Sequence, residues 1–314
     1  MQKILIKLII LLVAIFVIDR AFSYFFKNKI FEKTISGEGG GSINYIIKKK
    51  KNIDFLVMGS SRAKYQIDPA LLKNAYNGNG YNAGINGVGG IIYNSMLLHV
   101  LINKGILPKA VILQTDIFFF REAKSESLSF EISNLYPYMD EVPQLKVFVK
   151  HNAGFAENTL LLLHSYRFNG NMLSIVNNYL KHRTVTDNNG FESLQGTIVP
   201  NQFDIINRVN KKYEYSSIKL SAFEDIIETC KKNNISLYVV FCPYFKTTDI
   251  LQEENKVLIQ ILSKLGNNKL LDFSDINKIP SLQSGNLWKD ENHLNSTGAN
   301  LFSKMLNDSL PVMR

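Results

Sequence analysis

Cysteine is nearly missing from this chain: Cys230 and Cys242 are the only two among 314 residues. Two thiols cannot make a disulfide scaffold of this length, so the fold must come from a hydrophobic core. They fit an exported protein that does not depend on disulfides. A Cys230–Cys242 bridge stays open, and two inert core thiols is the preferred reading. Histidine is scarce as well, with five residues. None stands in a His/Cys cluster with metal-ligand spacing, so no metal is expected. The glycine-rich stretch Gly84-Ile85-Asn86-Gly87-Val88-Gly89-Gly90 lacks the Gly-Lys-Ser/Thr ending of a phosphate loop, so no cofactor is expected either. No nucleic-acid motif accompanies the lysines, which are scattered apart from Lys48-Lys49-Lys50-Lys51. No internal repeat is evident.

What is present is ordinary for a folded protein: 46% hydrophobic and 20% charged residues exclude wholesale disorder. The length permits one large core, with room for an inserted subdomain. The net charge of +9 suits a membrane-proximal surface or an anionic polymer substrate, and equally a solvated basic surface without a partner.

The N-terminus is more decisive. Leu8 to Ile18 is an unbroken apolar run, extended backwards by Ile4-Leu5-Ile6 across Lys7. As a helix, Ile4 to Ile18 is roughly 22 Å long, short of a ~30 Å hydrocarbon core. Lys7 can snorkel to one interface, and Ala21-Phe22-Ser23-Tyr24-Phe25-Phe26 supplies aromatics at the other. Asp19-Arg20 and bulky aromatics stand where a cleavage site needs small residues, which favours an uncleaved signal anchor over residues 1–26. A tail this short before the anchor stays inside, placing the remainder outside the cytoplasm. Residues 27–52, basic and carrying Gly37-Glu38-Gly39-Gly40-Gly41-Ser42, read as a stalk.

From residue 53 an α/β rhythm begins. Strands are expected at Ile53–Met58, Tyr81–Ala83, Ala110–Thr115, Ser236–Cys242 and Lys269–Phe273. Helices are expected after Asp68-Pro69 and over Ile91–Asn103, Leu220–Lys231, Leu251–Leu265 and Ser296–Leu310. This alternation predicts a parallel sheet of about five strands in a three-layer α/β/α fold over 53–314. The rhythm lapses at about 117–216, which reads as a cap or insertion.

Two fragments carry chemistry. Gly59-Ser60-Ser61 follows the first strand, where open α/β sheets expose side chains at their carboxyl edge. Asp290-Glu291-Asn292-His293 precedes the last helix and offers a base with a carboxylate to orient it. With Gly84 after the second strand and Asp116 after the third, the chain resembles the SGNH (GDSL-like) hydrolase superfamily. It is most similar to the membrane-anchored branch that reads Gly-Ser-Ser where esterases read Gly-Asp-Ser. That branch includes the proteins of teichoic-acid D-alanylation and the alginate O-acetyltransferase-like proteins. The resemblance implies Ser61 as nucleophile, His293 as base and Asp290 as its orienting carboxylate. It also implies an oxyanion hole built from the N–H groups of Ser61 and Gly84.

One position departs from the family. Where the hydrolases carry an asparagine donor, this chain has Asp116, and an ionised carboxylate cannot donate to an oxyanion. Asp116 is then protonated, or binds something else, or Asn82 or Asn86 takes its place. Arg62 is a candidate contact for a polar or anionic substrate. His99 reads as a core histidine, and His151, His164 and His182 as surface or cap residues. Asp272 and Asp275 read as turn and capping groups, and Phe118-Phe119-Phe120 as packing. The expected function is O-acyl transfer, O-acetyl above all, on a cell-surface glycan, with a multipass membrane acyltransferase as the implied acyl supplier. A carbohydrate or lipid esterase and a non-catalytic scaffold are the alternatives.

Overall fold

Runs of apolar residues too short for helices, set between amphipathic stretches, form the strands of a computed structural model. It describes residues 1–37, 40–87, 90–122, 127–181, 188–198, 214–245, 249–265 and 269–313. In chain order the elements are α1 (Gln2–Phe26), α2 (Gly41–Lys49), β1 (Phe55–Met58), α3 (Ser61–Gln66), β2 (Gly80–Asn82) and α4 (Ile91–Asn103). Then come β3 (Ala110–Thr115), α5 (Ser127–Ile132), α6 (Pro143–Asn152), α7 (Phe155–Leu160) and α8 (Met172–Leu180). The chain closes with α9 (Ser217–Lys232), β4 (Ser236–Phe241), α10 (Asp249–Leu265), β5 (Lys269–Asp272) and α11 (Ser296–Ser309). They group into two compact units, residues 1–49 with 126–186, and residues 50–125 with 187–314.

The second unit holds the sheet, five parallel strands in the order β2-β1-β3-β4-β5. Every residue of β1 and β3 is buried, the mark of a sheet covered on both faces. Alternate side chains divide between those faces. Phe55, Val57, Ala110, Ile112, Tyr238 and Val240 share one cluster with Ala63 of α3 and with Phe302 and Leu306 of α11. Leu56, Met58, Val111, Leu113 and Val239, all fully buried, point the other way, as a three-layer arrangement requires. The strand order reverses between β1 and β3, and in sheets of this kind the crevice at the reversal is where ligands bind.

A helix follows the Gly-Ser-Ser turn directly, and Asp68 caps only a 3-10 turn, its carboxylate accepting from Ala70 N–H at 2.9 Å. Cys230 and Cys242 are both free and buried, and burial pushes each thiol up to about 12. Inert core thiols are what the chain contains.

In the first unit, α1 buries Asp19, Ser23 and Phe26 along one face. The Asp19 carboxylate accepts hydrogen bonds from the His164 N–H (2.8 Å), the Ser165 N–H (3.0 Å) and the Ser165 hydroxyl (2.5 Å). Phe26 and Phe31 both pack edge-on against Phe168, with centroids 4.9 and 5.4 Å apart. Buried Asn44 donates to Phe31 O and Thr34 O and accepts from Tyr138 Oη at 2.8 Å. Residues 27–49 are therefore not the stalk that their lysines and glycines suggest. Phe31, Ile43, Tyr45 and Ile46 are buried, and those four side chains outweigh the local composition. The expected insertion at 117–216 is likewise divided, its residues 126–186 in the first unit and its flanks in the second.

Among the described residues no helix is long and apolar enough to cross a membrane. Charged Lys7, Asp19 and Arg20 interrupt α1, although its apolar side chains from Ile4 to Ile18 are exposed, Leu12 by 58% and Ile18 by 67%.

Fully buried Phe302, 5.3 Å edge-on from Phe273, joins α11 to the sheet. Phe302→Ala is expected to cost about 3–5 kcal/mol in urea unfolding, with an unchanged slope.

Candidate active site

β1 ends in a turn that only glycine can make. Gly59 has φ +146°, and a Cβ there would fall 2.7 Å from Gln114 Oε1 and 2.9 Å from Ala63 Cβ. Ser60 is spent on structure. Its N–H and hydroxyl both donate to Gln114 Oε1 (3.0 and 2.9 Å), and its Oγ accepts from Arg62 N–H at 3.3 Å as the cap of α3. Ser61 is the first residue of α3, with its Oγ directed elsewhere.

That Oγ lies 2.8 Å from His293 Nε2, and His293 Nδ1 lies 2.9 Å from both carboxylate oxygens of Asp290. Asp290 Oδ1 also accepts from the N–H groups of Asn292 (2.8 Å) and His293 (2.9 Å). Burial raises the Asp290 carboxyl, but the His293 hydrogen bond and charge, with the two N–H donors, outweigh it and hold the group below its usual range. An ionised Asp290 can only accept, so Nδ1 carries the ring proton and Nε2 presents its lone pair to Ser61. Ser61, His293 and Asp290, separated in sequence, are thus brought together with the order and spacing of a nucleophile, base and orienting group.

The histidine turn is held from several sides. Gln66 Nε2 donates to Asn292 O at 2.6 Å, and Lys289 N–H to His293 O at 2.9 Å. Trp288 bridges to Leu294, and its Nε1 donates to Leu282 O at 2.7 Å. Asn295 caps α11 by accepting from the Thr297 and Gly298 N–H groups, both at 3.1 Å. The Tyr65 ring meets the His293 imidazole edge-on, 5.6 Å between centroids.

The expected oxyanion hole is only partly there. Ser61 N–H opens α3, where the intrahelical ladder leaves it unbonded. Gly84 N–H, however, donates to Asn82 Oδ1 at 2.9 Å. Asn82 Nδ2 is committed to Ala63 O and Ile67 O, both at 2.7 Å, so it is a strut between β2 and α3 and no oxyanion donor. Gly84 is glycine for a different reason than substrate access: a Cβ would fall 2.6 Å from Lys64 N, so β2 could not approach α3. Asn86 is exposed on the following turn.

Asp116 binds Arg62, one of the alternatives expected of it, and Arg62 is not the exposed contact that was expected. Asp116 is 4% exposed and accepts at both oxygens, Oδ1 from Phe118 N–H (2.8 Å) and Oδ2 from Arg62 Nη1 (3.2 Å) and Gln114 Nε2 (3.3 Å). It is the counterion of Arg62 and takes no oxyanion part. Arg62, also 4% exposed, is turned into the protein. Its Nη2 donates to Cys242 O and to Pro243 O (2.8 Å), and its guanidinium stacks on Tyr244 at 3.8 Å.

Sequence reasoning missed Gln114, which links Ser60 to Asp116, and Gln66. A polar side chain ending the apolar run of β3 was the available signal for Gln114; Gln66 offered none. The segment 188–198 also reaches this unit's site elements, through Asn82 N–H to Asn189 O (2.7 Å) and the Lys64–Glu192 ion pair (3.0 Å). Of the other histidines, His99 pairs with Asp225 at 2.8 Å and His151 with Val147 O at 2.8 Å, while His164 lies 3.6 Å from Asp140. His182 lies outside the described residues. Asp272 and Asp275 serve turns, accepting from Ser274 N–H and Asn277 N–H. Phe119 and Phe120 are buried, and Phe118 is exposed.

Because folding lowers the Asp290 pKa, its stabilising contribution is present above the unfolded value of about 3.9 and is lost as pH falls through the folded one. The unfolding free-energy gap between wild type and Asp290→Asn is expected to be full near about pH 7 and to close below about pH 4. Arg62→Ala leaves a buried carboxylate unpaired and is expected to cost about 3–5 kcal/mol, with Arg62→Met/Asp116→Leu costing less, as read by urea unfolding. No protein-family model matches the chain and no curated protein matches it.

Proposed function

We propose that this is a membrane-anchored, extracytoplasmic SGNH-type protein that transfers an O-acyl group, acetyl foremost, on a cell-surface glycan. The observation that carries the proposal is the continuous contact Ser61 Oγ–His293 Nε2–His293 Nδ1–Asp290, 2.8 and 2.9 Å at its two joints. The order of the blocks Gly59-Ser60-Ser61, Gly84, Asp116 and Asp290-x-x-His293 supports the same family reading.

In the first half-reaction Ser61 Oγ attacks the acyl carbonyl carbon of an ester donor while its proton passes to His293 Nε2. The oxyanion meets the Ser61 N–H. Collapse breaks the donor C–O bond, the leaving alcohol takes the proton back from His293, and the acyl group remains as an ester on Ser61. A glycan hydroxyl then attacks that ester. Its proton goes to His293 and is returned to Ser61 Oγ as the acyl–serine bond breaks. Asp290 stays ionised and offsets the charge on the imidazolium. Water in place of the sugar hydroxyl makes the same site a carbohydrate or lipid esterase. A multipass membrane acyltransferase as acyl supplier belongs to the family reading.

The exposed apolar side chains of α1 support membrane seating, since a stretch of this size costs free energy in water. Lys7 and the aromatic Phe22, Tyr24 and Phe25 would let a short helix meet both interfaces. A second reading, a scaffold that binds acylated glycan without turnover, is favoured by one observation: Gly84 N–H, Asn82 and Asp116 are already hydrogen-bonded within the protein.

A fluorophosphonate serine probe is expected to label wild type and Ser60→Ala but not Ser61→Ala. Labelling of Ser61→Ala sinks the nucleophile assignment, and no labelling of any form favours the scaffold. In an acyl-ester assay, His293→Ala is expected to lose about 10²–10⁴-fold in rate. With a glycan acceptor added, acylated glycan identifies a transferase and free acid alone an esterase.

A further inference from the structure

The first unit contains a cavity of about 470 Å³, within the range of small-ligand pockets. One wall is a single face of α1 and its C-cap, directly after the apolar run: Arg20, Ser23 and the capping Lys27. Glu32, Glu141 and Arg167 are among the other lining residues. Much of the charge is already paired, Lys27 with Glu141 and Arg167 with Asp140 at 2.5 Å.

Four groups are left over. Arg20 gives one N–H to Leu162 O (2.9 Å) and stacks on Phe16 at 4.4 Å, leaving further donors. The Glu32 carboxylate meets no partner among the described residues. Ser23 is 4% exposed, and its Oγ is buried without a partner, as is Arg167 Nε. A buried donor without an acceptor is costly, so the cavity wall is incomplete as it stands. The lining carries three Arg/Lys (Arg20, Lys27, Arg167) against three Asp/Glu (Glu32, Asp140, Glu141). Burial and then the neighbouring Arg167 push His164 down, so it adds no charge at neutral pH. Spare donors and a spare carboxylate in one cavity whose lining carries no net charge describe a zwitterionic ligand.

We propose that this cavity binds a phosphoethanolamine group, the headgroup of a membrane lipid, with the phosphate on Arg20, Ser23 Oγ and Arg167 Nε and the ammonium on Glu32. A phosphate has acceptors for all three donors, and a primary ammonium, unlike a trimethylated one, has N–H groups for Glu32. The position of the cavity on α1, one turn beyond Ile18, selects a lipid over a soluble solute. That selection rests on the membrane seating proposed above.

The test uses the full chain. In detergent micelles, calorimetric titration with glycerophosphoethanolamine is expected to show saturable binding, weakened about tenfold or more in Arg20→Gln and in Glu32→Gln. Glycerophosphocholine is expected to bind less tightly. In flotation, vesicles of phosphatidylcholine alone are expected to carry the wild type, and vesicles containing phosphatidylethanolamine to carry more of it, the difference vanishing in both variants. Unchanged thermal unfolding shows the variants to be folded. Failure to float with either vesicle overturns the membrane seating itself. Flotation without preference and without titratable headgroup binding overturns the headgroup site. Titration without vesicle preference overturns the lipid assignment in favour of a soluble phosphoethanolamine.

Discussion

One buried guanidinium fastens the carboxyl ends of the three central strands to one another. Arg62, in the first turn after β1, bonds Asp116 at the end of β3 and the carbonyls of Cys242 and Pro243 past the end of β4. Desolvating such a pair offsets most of its Coulomb attraction, so it is a poor source of net stability. It is a strong source of position. Ser61 is its neighbour in sequence, and Gln114 completes the circuit by holding both Ser60 and Asp116. Ser61, the proposed nucleophile, is thus placed by polar bonds to strand ends and not by its own short helix.

The central strands were legible in the residues because burial there is uniform. The expected limits of α4 and β3 coincide with those observed, and β1, β4 and β5 are each shorter than expected by one or two residues. Apolar runs between turn residues leave little choice of structure. The triad was legible for a different reason: its three members are the residue types that the chemistry needs, at a strand end and before a helix. Arg62 was not legible. An arginine reads as solvated unless its partners are known, and its partners lie 54 and 180 residues away. Residues 27–49 misled by composition, since their buried Ile43 and Ile46 are outnumbered by lysine, glycine and serine.

The occupied donors bear on catalysis. Ser61 N–H is the donor that stands ready, and a second becomes available at Gly84 only if Asn82 Oδ1 lets go. Asn82 is itself pinned by two carbonyls of the α3 region, so its release is coupled to movement of the helix that carries the nucleophile. Under the proposed function, an acyl carbonyl entering the crevice would compete with a side-chain amide for the same N–H. Such competition ties the affinity of the site for developing negative charge to the fit of the substrate.

The nucleophile and its base stand 232 residues apart in the chain. During synthesis Ser61 therefore emerges long before the His293 imidazole, and under the proposed mechanism a chain cut anywhere between them carries an unactivated hydroxyl. The loop closed by that contact is most of the protein and contains β2 to β5, so the sheet is what offsets the entropy of closing it. Under the proposed mechanism, reactivity at Ser61 would be a readout of completed folding, and a misassembled molecule would transfer no acyl group to a wrong acceptor.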